Sequence, residues 1–108
     1  MPTHADVRRL ALALPETYEE PHFDIGSFRV NKKIFCTWAA DSPRIMLKFS
    51  PEDQHNLVAD APEAIAPVPG YWGQKGSTYV QFSQIDEARL ATLIRLAWAT
   101  VAAKRLQG

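Results

Sequence analysis

A chain of 108 residues fits one domain, and folding at this length buries roughly two-thirds of its surface, enough for a core without disulfide or metal staples. A hydrophobic fraction of 46% and a charged fraction of 22% are ordinary globular values, which excludes fibrous and disordered readings. The 12 basic residues balance 12 acidic ones, which argues against strong non-specific binding to DNA or membranes but leaves room for a local basic patch on a neutral body.

The first predicted element is a helix capped by Thr3, with Asp6 three residues later as a carboxylate variant of the capping box. Val7, Leu10, Ala11 and Leu14 form its apolar stripe, and Pro15 stops it. Glu16 to Asp24 reads as an acidic, proline-interrupted connection. Two strands follow, Phe28 to Val30 and Lys33 to Ala39, joined by Asn31-Lys32 as a two-residue hairpin turn, since Asn tolerates positive φ. A regular hairpin sets Phe28 opposite Phe35 and Val30 opposite Lys33, leaving Ile34, Cys36 and Trp38 for the other face.

Arg44 to Phe49 alternates cleanly, with Ile45, Leu47 and Phe49 on one face and Arg44, Met46 and Lys48 on the other. Ser50 caps a short second helix with Pro51 at its first position, ending near Asp60. Ala61 to Gly76 is rich in Pro and Gly around the aromatic pair Tyr71-Trp72. Thr78 to Phe82 reads as another strand. A long last helix runs from Asp86 to about Leu106, burying Leu90, Leu93, Ile94, Ala97, Trp98, Val101 and Ala102, with Lys104 and Arg105 at its C-terminal end. Short links between strands imply an antiparallel sheet. The expected fold is therefore α+β, a two-layer sandwich with helices packed on one face in the order α-β-β-β-α-β-β-α, over residues 1–108 as a single domain.

Leu14-Pro15-Glu16, the run Ser27-Phe28-Arg29-Val30-Asn31-Lys32-Lys33-Ile34-Phe35, and Leu47-Lys48-Phe49 entering Ser50-Pro51-Glu52 stand in order before a late aromatic hairpin and a long terminal helix. In this order and spacing the chain resembles the MmcQ/YjbR family from about Thr3 to Leu106. The resemblance implies a CyaY-like fold and, in a "double wing" arrangement, DNA binding without an established reaction. Asn31-Lys32 departs from the family's glycine-containing turn, which alters what the turn presents to a partner. Frataxin-type iron binding is not implied, because the first helix offers Asp6 alone beside Arg8 and Arg9.

The basic residues Arg29, Lys32, Lys33, Arg44 and Lys48 crowd one stretch against the single acid Asp41, and Lys75 lies in the later Gly-rich hairpin. Two basic hairpins flanking a cationic sheet face suit a phosphate backbone, with aromatics to stack on bases. Charges of this kind are more often simply solvated on an open sheet face. His22 sits among Glu16, Glu19, Glu20 and Asp24, but no second histidine or cysteine stands at ligand spacing, so no metal is expected. Cys36, the only cysteine, permits no intrachain disulfide and reads as a small core residue. There is no glycine-rich phosphate loop or nucleophile elbow, so no cofactor is expected and catalysis is less expected than binding. Met1 to Ala13 lacks the pattern of a secretory signal, and no run approaches the roughly 18 apolar residues of a membrane span. The cytoplasm is the expected location.

The leading expectation is a monomeric or weakly dimeric domain that binds DNA through Arg29, Lys32, Lys33, Arg44, Lys48 and Lys75. One alternative is a small-molecule pocket, or an unrecognised enzyme, near His22, Lys33 and Trp72. A protein-binding adaptor using the open sheet is the other.

Overall fold

The computed structural model describes residues 2–22, 25–39 and 41–102. Helix α1 (His4–Leu12) begins at a reciprocal cap, where the Thr3 amide donates to the Asp6 carboxylate (2.8 Å) and the Asp6 amide to the Thr3 hydroxyl (3.3 Å). The Thr3 amide holds the Asp6 carboxyl below its ordinary pKa range. Val7 and Ala11 are buried, and Leu10 and Leu14 pack against the core. Helix α2 (Pro51–Asp60) is capped by Ser50, whose hydroxyl accepts from the Asp53 amide at 3.1 Å. In α4 (Glu87–Val101) the Asp86 carboxylate accepts from the Arg89 amide at 2.7 Å.

The strands are β1 (Tyr18–His22), β2 (Ile25–Val30), β3 (Lys33–Trp38), β4 (Ile45–Lys48), β5 (Ile65–Pro67) and β6 (Ser77–Val80), and every pairing is antiparallel in the order β1-β2-β3-β4-β6-β5. β1 replaces the expected connection between α1 and the first hairpin. Its acids and Pro21 disguise it, yet they suit an edge strand, where a missing N–H costs no ladder bond and charge discourages further pairing.

The β2–β3 hairpin turns through Asn31 (φ 55°) and Lys32 (φ 62°), the paired positive φ of a type I′ turn. Val30 faces Lys33 as expected, but Phe28 faces Cys36 rather than Phe35. The register advances one residue on β2 and two on β3 between Phe28–Cys36 and Arg29–Ile34. Phe35 is thus the extra residue of a β-bulge. The bulge allows the adjacent Phe35 and Cys36 both to be wholly buried, and it brings Cys36 to the face of Phe28, opposite to that of Ile34.

Helices α1 and α4 cover one sheet face and α2 closes the β5 edge. The core between them holds Phe28, Val30, Ile45, Leu47, Phe49 and Val80 from the sheet, with Leu90, Leu93, Ile94, Ala97 and Trp98 from α4. His4 on α1 packs its ring against Trp38 and Phe82. Between β5 and β6 the Pro/Gly-rich segment forms one further helical turn, α3 (Tyr71–Gln74). The expected strand to Phe82 stops at Val80 and passes into a 3₁₀ turn, Phe82–Gln84. α4 ends at Val101, because Ala102 is extended (ψ 149°) and the Asn31 side chain donates to the Val101 carbonyl (3.4 Å). Lys104, Arg105 and Leu106, expected in this helix, lie outside the described residues.

Candidate functional site

Pairing and pleat together decide which side chains reach the uncovered face. Leu47, Ile45 and Phe49 point into the core, so Met46 and Lys48 point away from it. Across the register Met46 lies beside Thr37 on β3 and Tyr79 on β6, and Tyr79 lies beside Ala66 on β5. Ile34, across from Arg29, already lies on this face, and the bulge after it brings Thr37 to the same face although the two are an odd number of residues apart. That groove measures about 460 Å³ and is walled by Ile34, Met46, Val68, Trp72 and Tyr79, with Lys48 at its side. A smaller hollow of about 220 Å³ adjoins it through Thr37, Met46 and Tyr79 and carries Arg44.

Trp72 and Tyr71 stand at the rim with 64% and 62% of their surface exposed, ring against ring edge-on at 5.4 Å. The turn presenting them is fixed from beneath. Buried Gln54 on α2 donates its side-chain amide to the Gly73 and Ser77 carbonyls and the Thr78 hydroxyl, each at 3.0 Å. Gly73 sits so close to Val68 that a Cβ there would lie 1.7 Å from the Val68 carbonyl oxygen. The exposed aromatics therefore project from a rigid base.

The ion pairs fall mainly on the helical side, although Arg95 on α4 makes none among the described residues. Arg8 pairs with Glu19, Arg9 with Asp6 and Glu87, and Arg89 with Asp60, all involving the helical layer. Among the described residues Lys32, Lys33, Arg44, Lys48 and Lys75 make no ion pair. Arg44 lies flat over Tyr79, its guanidinium carbon 3.8 Å from the ring centre, and the Lys75 ammonium is 5.4 Å from the Tyr71 ring. Arg29 shares the open face but is partly neutralised by Glu20 at 3.7 Å and held by the Ser27 hydroxyl at 3.2 Å.

Lys33 opens β3 and Lys48 closes β4, and with Cys36 opposite Leu47 both lie toward one end of the sheet. Lys48 pairs with Ser77, two residues beyond Lys75, so Lys75 belongs to the same end. Arg44 stands at the other end, roughly 13 Å from Lys48 along the strand.

A model of the YjbR family matches residues 12–100, most of the chain. The chain belongs to the YjbR family. The crystal structure of Deinococcus radiodurans protein DR2400, whose family-model domain is DUF419, is similar with a TM-score of 0.81 and 22% identity, over 99% of this chain and 86% of that one. No curated protein matches the chain. The fold of this YjbR domain is therefore shared with a solved structure whose sequence has diverged widely from it.

Lys33 and His22, grouped from the sequence with Trp72, are not brought together in the YjbR domain. The His22 backbone pairs with Ile25 and Lys33 with Val30, at opposite ends of β2 and roughly 17 Å apart along the strand. The His22 side chain lies outside the described residues, and only Trp72 of the three lines the groove. Among the described residues no three His, Cys, Asp or Glu side chains gather as a metal would require, and no helix is long and apolar enough to cross a membrane. Cys36 is wholly buried and burial pushes its thiol far above the usual range, which makes it packing material rather than a nucleophile.

Sequence reasoning missed Ile34, Val68 and Gln54. Ile34 was missed because both faces of the hairpin read as partly apolar, so the sequence did not show which one is open. Gln54 was missed because no periodic pattern marks a buried amide that ties a loop.

Proposed function

We propose that the open sheet face of this YjbR domain binds DNA by holding backbone phosphates on its unpaired cations. The observation that carries the reading is the asymmetry of charge in a chain of zero net charge. Among the described residues on the helical side, Arg8, Arg9 and Arg89 are paired with carboxylates and Arg95 is not. Arg44 and Lys48 lie without ion pairs on the opposite face, Lys32 and Lys75 in the turns at its end, and Lys33, across from core-facing Val30, at the same end on the helical side. Lysine and arginine held ready in this way release condensed counterions when they meet a polyanion, and that release supplies most of non-specific affinity.

Fluorescence polarisation across a salt series tests the proposal. Replacing Arg44 and Lys48 together with alanine should leave stability almost unchanged, since Arg44 is exposed and Lys48 half-exposed. It should weaken duplex binding at every sequence and flatten the slope of log K against log salt by about 0.9 for each lost phosphate contact. No binding by the wild-type chain at about 50 μM in roughly 50 mM salt would be weaker than ordinary non-specific affinity and would end the DNA reading.

Lys32 sharpens the test because its backbone is strained. A lysine at φ 62° costs about 1 kcal/mol that glycine avoids. Lys32→Gly should therefore raise the denaturation midpoint while lowering DNA affinity, moving stability and binding in opposite directions. A variant both more stable and equally tight would remove Lys32 from the interface.

The apolar groove with Trp72 favours a second reading, a small planar ligand held beside Lys48. It predicts binding by free small molecules that the cationic rim does not govern, so the Lys32 variant separates it from the first.

A further inference from the structure

The cations account for phosphate, but they leave unexplained why an apolar groove opens between them. Its walls are Ile34, Met46, Val68 and Tyr79, of which the sheet's register places Met46 directly beside Tyr79, and its rim is Trp72. Trp72 is not surplus core left at the surface by a loose loop. The turn that carries it is held by the Gln54 side-chain amide, which donates to its Gly73 carbonyl and also to Ser77 and Thr78 on β6, and by the close approach of Gly73 to Val68. A rigid, exposed indole above an apolar floor suits a flat partner with two apolar faces and a polar edge. Lys48 beside the groove and Lys75 behind Tyr71 require that this partner carry negative charge within a few ångströms of its ring.

An unpaired nucleobase on its phosphodiester backbone meets both demands. A duplex does not, because its bases are stacked inside and offer no free face. The adjoining hollow also bears on the choice. It shares Thr37, Met46 and Tyr79 with the groove and holds Arg44, so the apolar track continues across the sheet from one unpaired cation to the next. A single strand can follow such a track, base down and phosphate up.

We infer that the groove beneath Trp72 is a base-stacking site for single-stranded DNA, with Lys48 as the phosphate contact next to it. This rests on the DNA-binding reading above and narrows it to the unpaired strand. Trp72 stacks on the base, Met46 and Ile34 form the floor, and Gln54 is a positioning residue that keeps the turn in place.

The experiment is a titration of the full chain with a short thymidine oligonucleotide, an abasic oligonucleotide with the same number of phosphates, a duplex of the same length, and thymidine monophosphate. Polarisation and intrinsic tryptophan fluorescence are read together. Trp98 is wholly buried, whereas Trp38 is half-buried and lines the adjoining hollow, so the Trp72→Ala variant is what assigns the quench to Trp72. The thymidine strand should quench the fluorescence and bind more tightly than the abasic strand. Trp72→Ala should abolish the quench and weaken the thymidine strand roughly tenfold while leaving the abasic strand unchanged, and Trp72→Phe should keep most of the affinity. Its exposure makes either substitution safe for the fold, and circular dichroism checks this.

Equal affinity for thymidine and abasic strands without quenching would overturn the base site and leave the phosphate reading standing. Tighter binding to the duplex than to either strand would do the same. Thymidine monophosphate binding as well as the oligonucleotide would overturn it in favour of a small-molecule pocket. Absence of binding by every polymer would remove this site and the DNA reading together.

Discussion

Gly76→Ala is expected to lower stability by about 4 kcal/mol or more, at the exceptional end for one substitution. Gly76 has a φ of 110°, and a Cβ built there would lie 1.8 Å from the Phe49 carbonyl oxygen. That carbonyl belongs to backbone and has no rotamer by which to withdraw. The two segments are also joined by the Phe49 amide donating to the Gly76 carbonyl at 3.0 Å, and the Thr78 hydroxyl donates to the same oxygen at 2.9 Å. Alanine must therefore push apart the end of β4 and the start of β6, the two strands that floor the groove. Gly70→Ala is the matched control. Its φ of 84° is as unfavourable for alanine, but no atom lies within 4 Å of the added carbon, so only the conformational cost of about 1–3 kcal/mol applies. Urea midpoints of the two variants decide the matter. Equal losses would mean that backbone conformation alone, without the close approach, sets the cost at Gly76.

Trp98→Ala should cost about 3–5 kcal/mol, the range for removing a large aromatic from a packed core. The side chain is wholly buried on the inner stripe of α4, and its indole N–H donates to the Pro15 carbonyl at 3.1 Å, tying the last helix to the segment that follows α1. Trp98→Phe keeps an aromatic ring but leaves that carbonyl without its donor, so it should lose less, with about 1 kcal/mol of the loss from the missing hydrogen bond. Denaturant unfolding of both variants supplies the comparison. A near-normal midpoint for Trp98→Ala would mean that α4 turns a different face to the core.

Helices α1, α2 and α4 were legible because each carries its own instructions, whereas the single turn α3 carries no side-chain cap and was not. Thr3 with Asp6, Ser50 with Pro51 and Asp53, and Asp86 all cap helices locally, and the stripe from Leu90 to Trp98 repeats at helical spacing. The strand through Ile45, Leu47 and Phe49 was equally plain, since one face is core and the other is not. β1 was not legible. Its Glu19, Glu20 and Pro21 become a strand only because β2 offers an edge, and no local preference within those residues specifies that.

For the candidate site the division is similar. The crowding of Arg29, Lys32, Lys33, Arg44 and Lys48 is a fact of the sequence, as are the aromatic pair Tyr71-Trp72 and the type I′ potential of Asn31. Tertiary structure decided how these cations differ. Glu20, brought across β1 to Arg29, quiets one of them, while Tyr79, brought beside β4, gives Arg44 a ring to lie on. It also decided which aromatic shares a site with which cation, by lining one groove with Trp72, Met46 and Lys48 and leaving His22 at the far end of β2 from Lys33. The physical reason lies in range. Caps, turns and periodicity are settled by residues three or four apart, whereas a bulge at Phe35 or an amide from Gln54 acts between segments whose proximity exists only once the sheet has closed.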